Sequence, residues 1–340
     1  MSKHSAPDVT FPVSVVGAGA TGSQVVAELL SYDSSQLVRV HDARPGARPG
    51  MLAEVELQDR GRVSFGGQLG DGAPVTVLAT PTGTHGALAA ECIAGGSSVV
   101  SLSDGLGDVR DLFALHVEAE RAGVSVVVGA GFAPGLTCLL ARHAGDALDE
   151  VHEIAVAKAG TGGPACARQH HRAMKQTAWD WLDGSWFERK GGSGRDLVWF
   201  PPPIGARDSY KAALPSPLLL QRSFGDAHRI VSRVTATRRD RLTSRLPMLR
   251  PPHADGGPGA VRVEVRGIVD GRFETVVYAV SARPSRAAGL VGAASARMVL
   301  ADEAPRGAFG LSELSDPKTL LRELTARGLG VVTFEGASHR

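Results

Sequence analysis

Gly17, Gly19 and Gly22 follow directly on an apolar run at residues 13–16, and the Gly-x-Gly-x-x-Gly spacing serves to hold a dinucleotide pyrophosphate. Gly17 permits the tight turn out of the strand, Gly19 lets the backbone approach the phosphates, and Gly22 lets the next helix pack on its strand. The free N–H groups of Ala20 and Thr21 at the start of that helix then face the anion. The helix itself is marked at residues 21–30 by Val25, Val26, Leu29 and Leu30 at helical spacing. Asp42 closes the next apolar run. A carboxylate there accepts both ribose hydroxyls of NAD and repels the 2′-phosphate of NADP. Arg44 and Arg48 stand near enough in sequence to clamp a 2′-phosphate if Asp42 turns away, so NAD is the expectation and NADP stays open.

Hydride transfer to a carbonyl or imine leaves a group that needs a proton, which calls for a general acid within hydrogen-bond reach. Lys158 is one candidate. Others lie on a short helical segment, where Lys175 is four positions from His171 and His171 three from Arg168. A cationic face of this kind suits a carboxylate-bearing substrate. Arg168 and His170 would bind it, and Lys158, His171 or Lys175 would carry the proton. A solvated basic helix is the plain alternative. Arg207, Asp208 and Tyr210 form a second polar cluster, with the first two as substrate contacts and the phenol as a proton carrier. Asp104 either orients substrate or caps a helix. Thr80, Pro81 and Thr82, with Gly131 and Pro134, fall where the ends of parallel strands border a nicotinamide. His85 reads as a first-turn helix residue before it reads as an acid or base.

The elements that must carry these residues alternate. Apolar strands at residues 74–79, 98–102 and 124–128 are separated by helices at 85–95 and 108–122, with Asp108 expected as an N-cap and Gly123 as the stop. This pattern predicts an α/β protein opening with a Rossmann-type doubly wound parallel sheet. After Gly129 the strands alternate apolar and polar residues and tight Asp-Gly turns appear at residues 183–184 and 270–271, so the second part is expected to be an α+β domain with a mainly antiparallel sheet. Trp179, Trp181 and Trp186 are expected in a hairpin as core and cross-strand pairs. The expected division is a dinucleotide-binding domain at 1–135, a substrate and dimerisation domain at 136–283, and a region at 284–340 in which a helix at 285–300 returns to the first domain before a short terminal unit. A homodimer through the open face of the second sheet is expected, on the argument that such a face is otherwise a wet apolar surface.

The 340 residues exceed one ordinary core, and 43% hydrophobic content supplies two. A net charge of +2 gives no reason to expect nucleic acid, although residues 221–250 hold eight arginines against two aspartates. The start of the chain lacks the apolar run of a signal peptide and no stretch has the length of a membrane span, so a cytoplasmic protein with no membrane partner is expected. Cys92, Cys138 and Cys166 are far apart and form no Cys-x-x-Cys pair, which argues against a disulfide framework and a structural zinc site; no metal is expected.

Three stretches, residues 15–22, Ser101-Leu-Ser-Asp104 and Gly129-Ala-Gly-Phe-Ala-Pro-Gly-Leu136, resemble the saccharopine dehydrogenase-like oxidoreductases. These belong with the two-domain dehydrogenases that include glucose-fructose oxidoreductase and homoserine dehydrogenase. The resemblance covers about residues 11–145. It implies an NAD(P)-dependent enzyme acting on an amino-acid-derived or hydroxylated small molecule. Ser101-Leu-Ser-Asp104 stands where the glucose-fructose branch has a glutamate-lysine-proline motif, and the carboxyl-terminal domain is short for a saccharopine reductase, which counts against a sugar and against saccharopine itself. The alternatives left open are a sugar or cyclic-alcohol oxidoreductase and a non-catalytic NAD-binding sensor or scaffold.

Overall fold

Apolar runs bounded by glycine turns become the strands of the first sheet. The computed structural model describes residues 12–334 apart from 45, 67–68, 70–71, 245, 247, 249–251 and 255. Strands β1 (Val13–Val16), β2 (Val38–His41), β3 (Val63–Phe65), β4 (Val75–Leu78), β5 (Ser98–Ser101) and β6 (Ser125–Val128) alternate with helices α1 (Ala20–Tyr32), α2 (Ala47–Glu54), α3 (His85–Ala94), α4 (Leu106–Ala114) and α5 (His116–Ala122). The strands pair in parallel, and β1, β4, β5 and β6 are buried along their whole length, as strands covered by helices on both faces must be.

The expected helix at 108–122 is two helices, α4 and α5, joined at Leu115, and α4 starts two residues before Asp108. Asp108 is therefore not an N-cap. Its buried carboxylate instead accepts from the backbone N–H groups of Gly83 and His85 and from the Ser103 hydroxyl, tying the loop after β4 to the loop after β5. Gly123 ends α5 in the left-handed conformation, with φ 69°.

Helix α6 (Leu136–Gly145) leads into β7 (Glu150–Ala159), and the second part continues with α7 (Pro164–Ala173), the hairpin β8 (Ala178–Leu182) and β9 (Ser185–Arg189), then β10 (Asp196–Trp199), β11 (Ala206–Tyr210), α8 (Ser216–Gln221), β12 (Arg229–Thr235), α9 (Arg238–Thr243), β13 (Gly259–Val269) and β14 (Arg272–Ala282). The chain closes with α10 (Pro284–Leu300), β15 (Gly307–Gly310), α11 (Pro317–Ala326) and β16 (Val331–Thr333). Among the described residues the second sheet runs β10-β11-β12-β7-β13-β14-β16, with β8 and β9 branching from β12. Its pairs are antiparallel except β12 with β7. In the hairpin Trp181 meets Trp186 edge-on across the strands at 5.1 Å. Helix α10 packs on α1, and Gly289 permits this because a Cβ there would lie 2.5 Å from that of Gln24. Strand β15 then adds a seventh parallel strand beside β6, while β16 joins the second sheet.

One face of the second sheet packs Ile154, Ile230, Val261, Val263 and Val265 into the core together with α6. The other face is apolar only in part, where Ala157, Ala159, Val198, Phe200, Ile204 and Ala260 form a small core of their own. It carries a ladder in which Glu153 reaches Arg229 at 3.6 Å and Arg266 at 3.9 Å, and Glu264 holds Arg262 and Arg266 at 2.6 Å each. Over the ladder the face is charged and matched within the chain, so there the argument from a wet apolar surface does not apply.

Gly22 shows how tightly the first helix sits. A Cβ at this position would lie 1.8 Å from the Gly17 carbonyl oxygen, a backbone atom that cannot yield. Gly22→Ala should cost roughly 3 kcal/mol, the upper end for overpacking. The urea midpoint reads this, and a midpoint equal to that of the parent chain would contradict the packing.

Candidate active site

Between the two sheets lies a cavity of about 1210 Å³, larger than the roughly 300–1,000 Å³ of an ordinary small-ligand site and suited to a dinucleotide plus a second molecule. Its floor is the glycine loop. Gly17 turns the chain at φ +107°, its N–H donating to the His41 carbonyl at 2.8 Å. Gly19 begins α1 without any capping side chain, and a Cβ on it would meet nothing within 4 Å, so the space a pyrophosphate requires stands directly over it. Ala20 and Thr21 also line the cavity, whereas Gly22 lies behind it. The uncapped N-terminus of α1 and the open approach at Gly19 fit a dinucleotide.

Asp42 closes β2 at the edge of the same cavity. Its two oxygens accept from the Ala18 N–H at 2.6 Å, from the Arg44 backbone N–H at 2.8 Å, and from Arg44 Nε and Nη2 at 3.0 and 2.8 Å. The Arg44 hydrogen bonds outweigh partial burial and hold its pKa at about 2. Asp42 is thus a fixed carboxylate whose charge Arg44 neutralises from solvent. Arg48 turns away, its guanidinium 5.0 Å above the Phe65 ring.

Thr80, Pro81 and Thr82 form the next stretch of wall. Thr82 donates to Gln169 Oε1 at 3.1 Å, which joins the first domain to α7 across the cleft. His85 is buried, with Nδ1 2.9 Å from Ser101 Oγ and Nε2 3.0 Å from the Thr80 carbonyl. Burial lowers its pKa, and it is a neutral structural group under that loop.

At the inner end of the cavity one carboxylate gathers three partners. Asp104 follows β5, and its Oδ2 lies 3.2 Å from Lys158 Nζ, 3.3 Å from His170 Nε2 and 3.4 Å from Cys166 Sγ. Lys158 stands near the end of β7 and donates also to the Ala133 carbonyl at 3.2 Å, so the Gly129–Leu136 stretch fixes the lysine as well as bordering the cavity. Cys166 and His170 are four apart on α7 and share its inner face. The side chains of Asp104, Lys158 and His170 are only 16, 5 and 11% exposed. Burial alone would raise the Asp104 pKa, but the Lys158 charge and the His170 contact prevail and hold the carboxyl well below its ordinary range. Burial and the Lys158 charge lower His170. Burial and the Asp104 charge push the Cys166 thiol up to about 12. The cluster therefore gathers a neutral imidazole, a protonated thiol and the Lys158 amine around one carboxylate. Arg168, exposed, lines the cavity from the same helix and has no acidic partner among the described residues.

Five residues expected in this site are elsewhere. Helix α7 ends at Ala173, before Lys175, and its inner face is set by Cys166 and His170; His171 points away and its Nε2 reaches the Leu246 carbonyl at 2.7 Å. Arg207, Asp208 and Tyr210 alternate along β11, outside the cavity wall. Arg207 is solvent-exposed, Asp208 pairs with Arg195 at 2.9 Å, and Tyr210 is fully buried with Met174, Leu214 and Val234 in a small separate core. Polar density there reflects strand alternation, not a ligand. Cys166 is the residue that sequence reasoning missed. Its i, i+4 spacing to His170 was the available signal.

Saccharopine dehydrogenase (L-Glu forming) from Saccharomyces cerevisiae superposes with a TM-score of 0.67 over 95% of this chain and 99% of that one, at 15% identity. The chain has the saccharopine dehydrogenase fold. An engineered D-amino acid dehydrogenase follows with a TM-score of 0.50 over 94% of this chain and 100% of that one, at 16% identity. No family model and no curated protein sequence matches the chain. No helix among the described residues is long and apolar enough to cross a membrane.

Proposed function

We propose that this protein is an NAD(P)-dependent oxidoreductase that moves hydride between nicotinamide and a small substrate bearing a carboxylate or an amine. The observation that carries this reading is the half-buried Asp104–Lys158–His170 cluster in the cavity that the glycine loop also lines. The dinucleotide would lie along Gly17, Gly19 and the N-terminus of α1, with Asp42 at the adenosine ribose and Thr80, Pro81 and Thr82 beside the nicotinamide ribose. When bound, the cofactor supplies the hydride; the chain supplies everything else.

Lys158 donates to Asp104 and stands at the cavity wall, placed to give a proton to the reduced centre or to take one from it. Asp104 keeps that ammonium in position. Its second oxygen has no partner among the described residues and suits an N–H or O–H of the substrate. Arg168 suits a carboxylate, through two parallel hydrogen bonds. The two fold relatives act, by their names, on saccharopine and on D-amino acids, and an amino-acid-derived substrate agrees with these charges.

The test is a fluorescence and thermal-shift titration with NADH and NADPH. NADH should bind, and at a hundred times its dissociation constant should stabilise the fold by about 2.7 kcal/mol. NADPH should bind more weakly because Asp42 meets its 2′-phosphate, though Arg44 softens the difference. A chain that binds neither is not an NAD(P) enzyme. One that binds NADH tightly but turns over no keto acid, imine or amine is a sensor.

A further inference from the structure

The same inner cluster has a second capacity. We propose that Asp104, Cys166 and His170 form a binding site for a thiophilic divalent transition metal, zinc foremost, with the fourth position open to the cavity.

The argument is geometric. Zinc bonds are about 2.3 Å to sulfur, about 2.0–2.1 Å to imidazole nitrogen and about 2.0–2.2 Å to a carboxylate oxygen, almost always in a tetrahedron. The edges of such a tetrahedron are about 3.6 Å from sulfur to nitrogen, about 3.6 Å from sulfur to oxygen and about 3.4 Å from nitrogen to oxygen. In this structure Cys166 Sγ lies 3.6 Å from His170 Nε2 and 3.4 Å from Asp104 Oδ2, and His170 Nε2 lies 3.3 Å from Asp104 Oδ2. All three edges match one face of a tetrahedral site to about 0.2 Å, so a metal needs little movement of the ligands. The cluster is the only group of three or more His, Cys, Asp or Glu side chains among the described residues that converges within 4.8 Å.

Lys158 is the obvious objection, since it places a cation beside the site. It has a second acceptor in the Ala133 carbonyl and need not leave, and its bond to Oδ2, the oxygen to which the edges are measured, can pass to the other oxygen of Asp104, which is unpartnered among the described residues. The charges close as well. Binding expels the thiol proton of Cys166 to solvent, and the resulting thiolate together with the Asp104 carboxylate balances the two charges of the metal. Lys158 then faces a neutral coordination sphere. Two ligands come from α7 and the third from the loop after β5, so the metal would clamp the second domain to the first. The lack of a Cys-x-x-Cys pair excluded only ligands adjacent in sequence; these are brought together by the fold.

The proposal shares Asp104 and His170 with the proton-handling centre, but its test uses metal alone. Its failure leaves the oxidoreductase reading standing, and failure of NADH to bind leaves this one standing. The whole chain, freed of metal with a chelator, is titrated with Co²⁺ and then with Zn²⁺. One Co²⁺ per chain is expected, with an intense thiolate-to-cobalt charge-transfer band and the strong visible bands of tetrahedral coordination, both erased by Zn²⁺. The charge-transfer band should vanish in Cys166→Ser, and His170→Ala should weaken binding at least tenfold. The melting temperature should rise with Zn²⁺ in the parent chain and not in Cys166→Ser, with circular dichroism reporting that both variants fold. Absence of the band in the parent chain overturns the proposal, even if neither variant folds. A band that persists in a folded Cys166→Ser overturns it too.

Discussion

Gly19→Val abolishes nucleotide binding while leaving the melting temperature of the free protein within a few degrees of the parent. A side chain here enters open space in the free protein, since nothing lies within 4 Å of the Cβ position, and that space is where the pyrophosphate must approach the backbone. The contrast with Gly22 makes the test sharp. At Gly22 the added carbon strikes the backbone and the penalty falls on folding, whereas at Gly19 it falls on binding alone. The steric block at the phosphate-facing N-terminus of α1 should weaken NADH by a factor of at least ~10³, equivalent to about 4 kcal/mol. Isothermal titration calorimetry measures it. Unchanged affinity would remove the glycine loop from the site and with it the proposed function.

The second large effect is expected at Lys158. Lys158→Met should lower kcat by about 10²–10⁴, the range for losing a positioned acid or base, with the dissociation constant of NADH changed less than about threefold. Burial explains the size. The Lys158 side chain is 5% exposed and pairs with a carboxylate that is itself 16% exposed, so no water takes over its place readily. The substitution also leaves Asp104 short of its strongest donor, and a lower melting temperature is expected alongside. Single-turnover measurement at saturating cofactor separates the two effects, because stability alone lowers the active fraction and not the rate constant of folded enzyme. Full turnover by folded Lys158→Met would move the acid–base role to His170. The variant leaves the three proposed metal ligands untouched, so it also separates the proton role of the cluster from its capacity for a metal.

Where backbone sterics alone set the geometry the sequence was read correctly, and where a distant partner or a strand period decides it was not. The glycine loop, α1 and Asp42 form a local unit in which spacing alone sets geometry: a turn, a helix start and the end of the neighbouring parallel strand are fixed by backbone sterics and by strand order. The left-handed Gly123 that ends α5 was legible for the same reason. The basic run from Arg168 to Lys175 was not. Its residue types suggest a cationic face, yet which side of α7 faces the cavity is decided by Gln169 meeting Thr82, by His170 meeting Asp104, and by the helix ending before Lys175. A helical wheel has no such information, because it lacks the partner. The Arg207–Tyr210 cluster failed on period. Four consecutive residues in a strand point alternately to opposite sides, so they cannot converge on one ligand however chemically apt they are.

The sequence by itself determined the elements, the α/β class with its second, mainly antiparallel sheet, and the dinucleotide loop, since each follows from periodicity, turn chemistry and short-range sterics. Only the tertiary structure brought together the proposed reaction centre. Asp104, Lys158 and Cys166/His170 come from three separate elements in two domains, and what makes them a site is a set of distances near 3.3 Å within a buried space, where a low dielectric turns ordinary side chains into a coupled charge cluster.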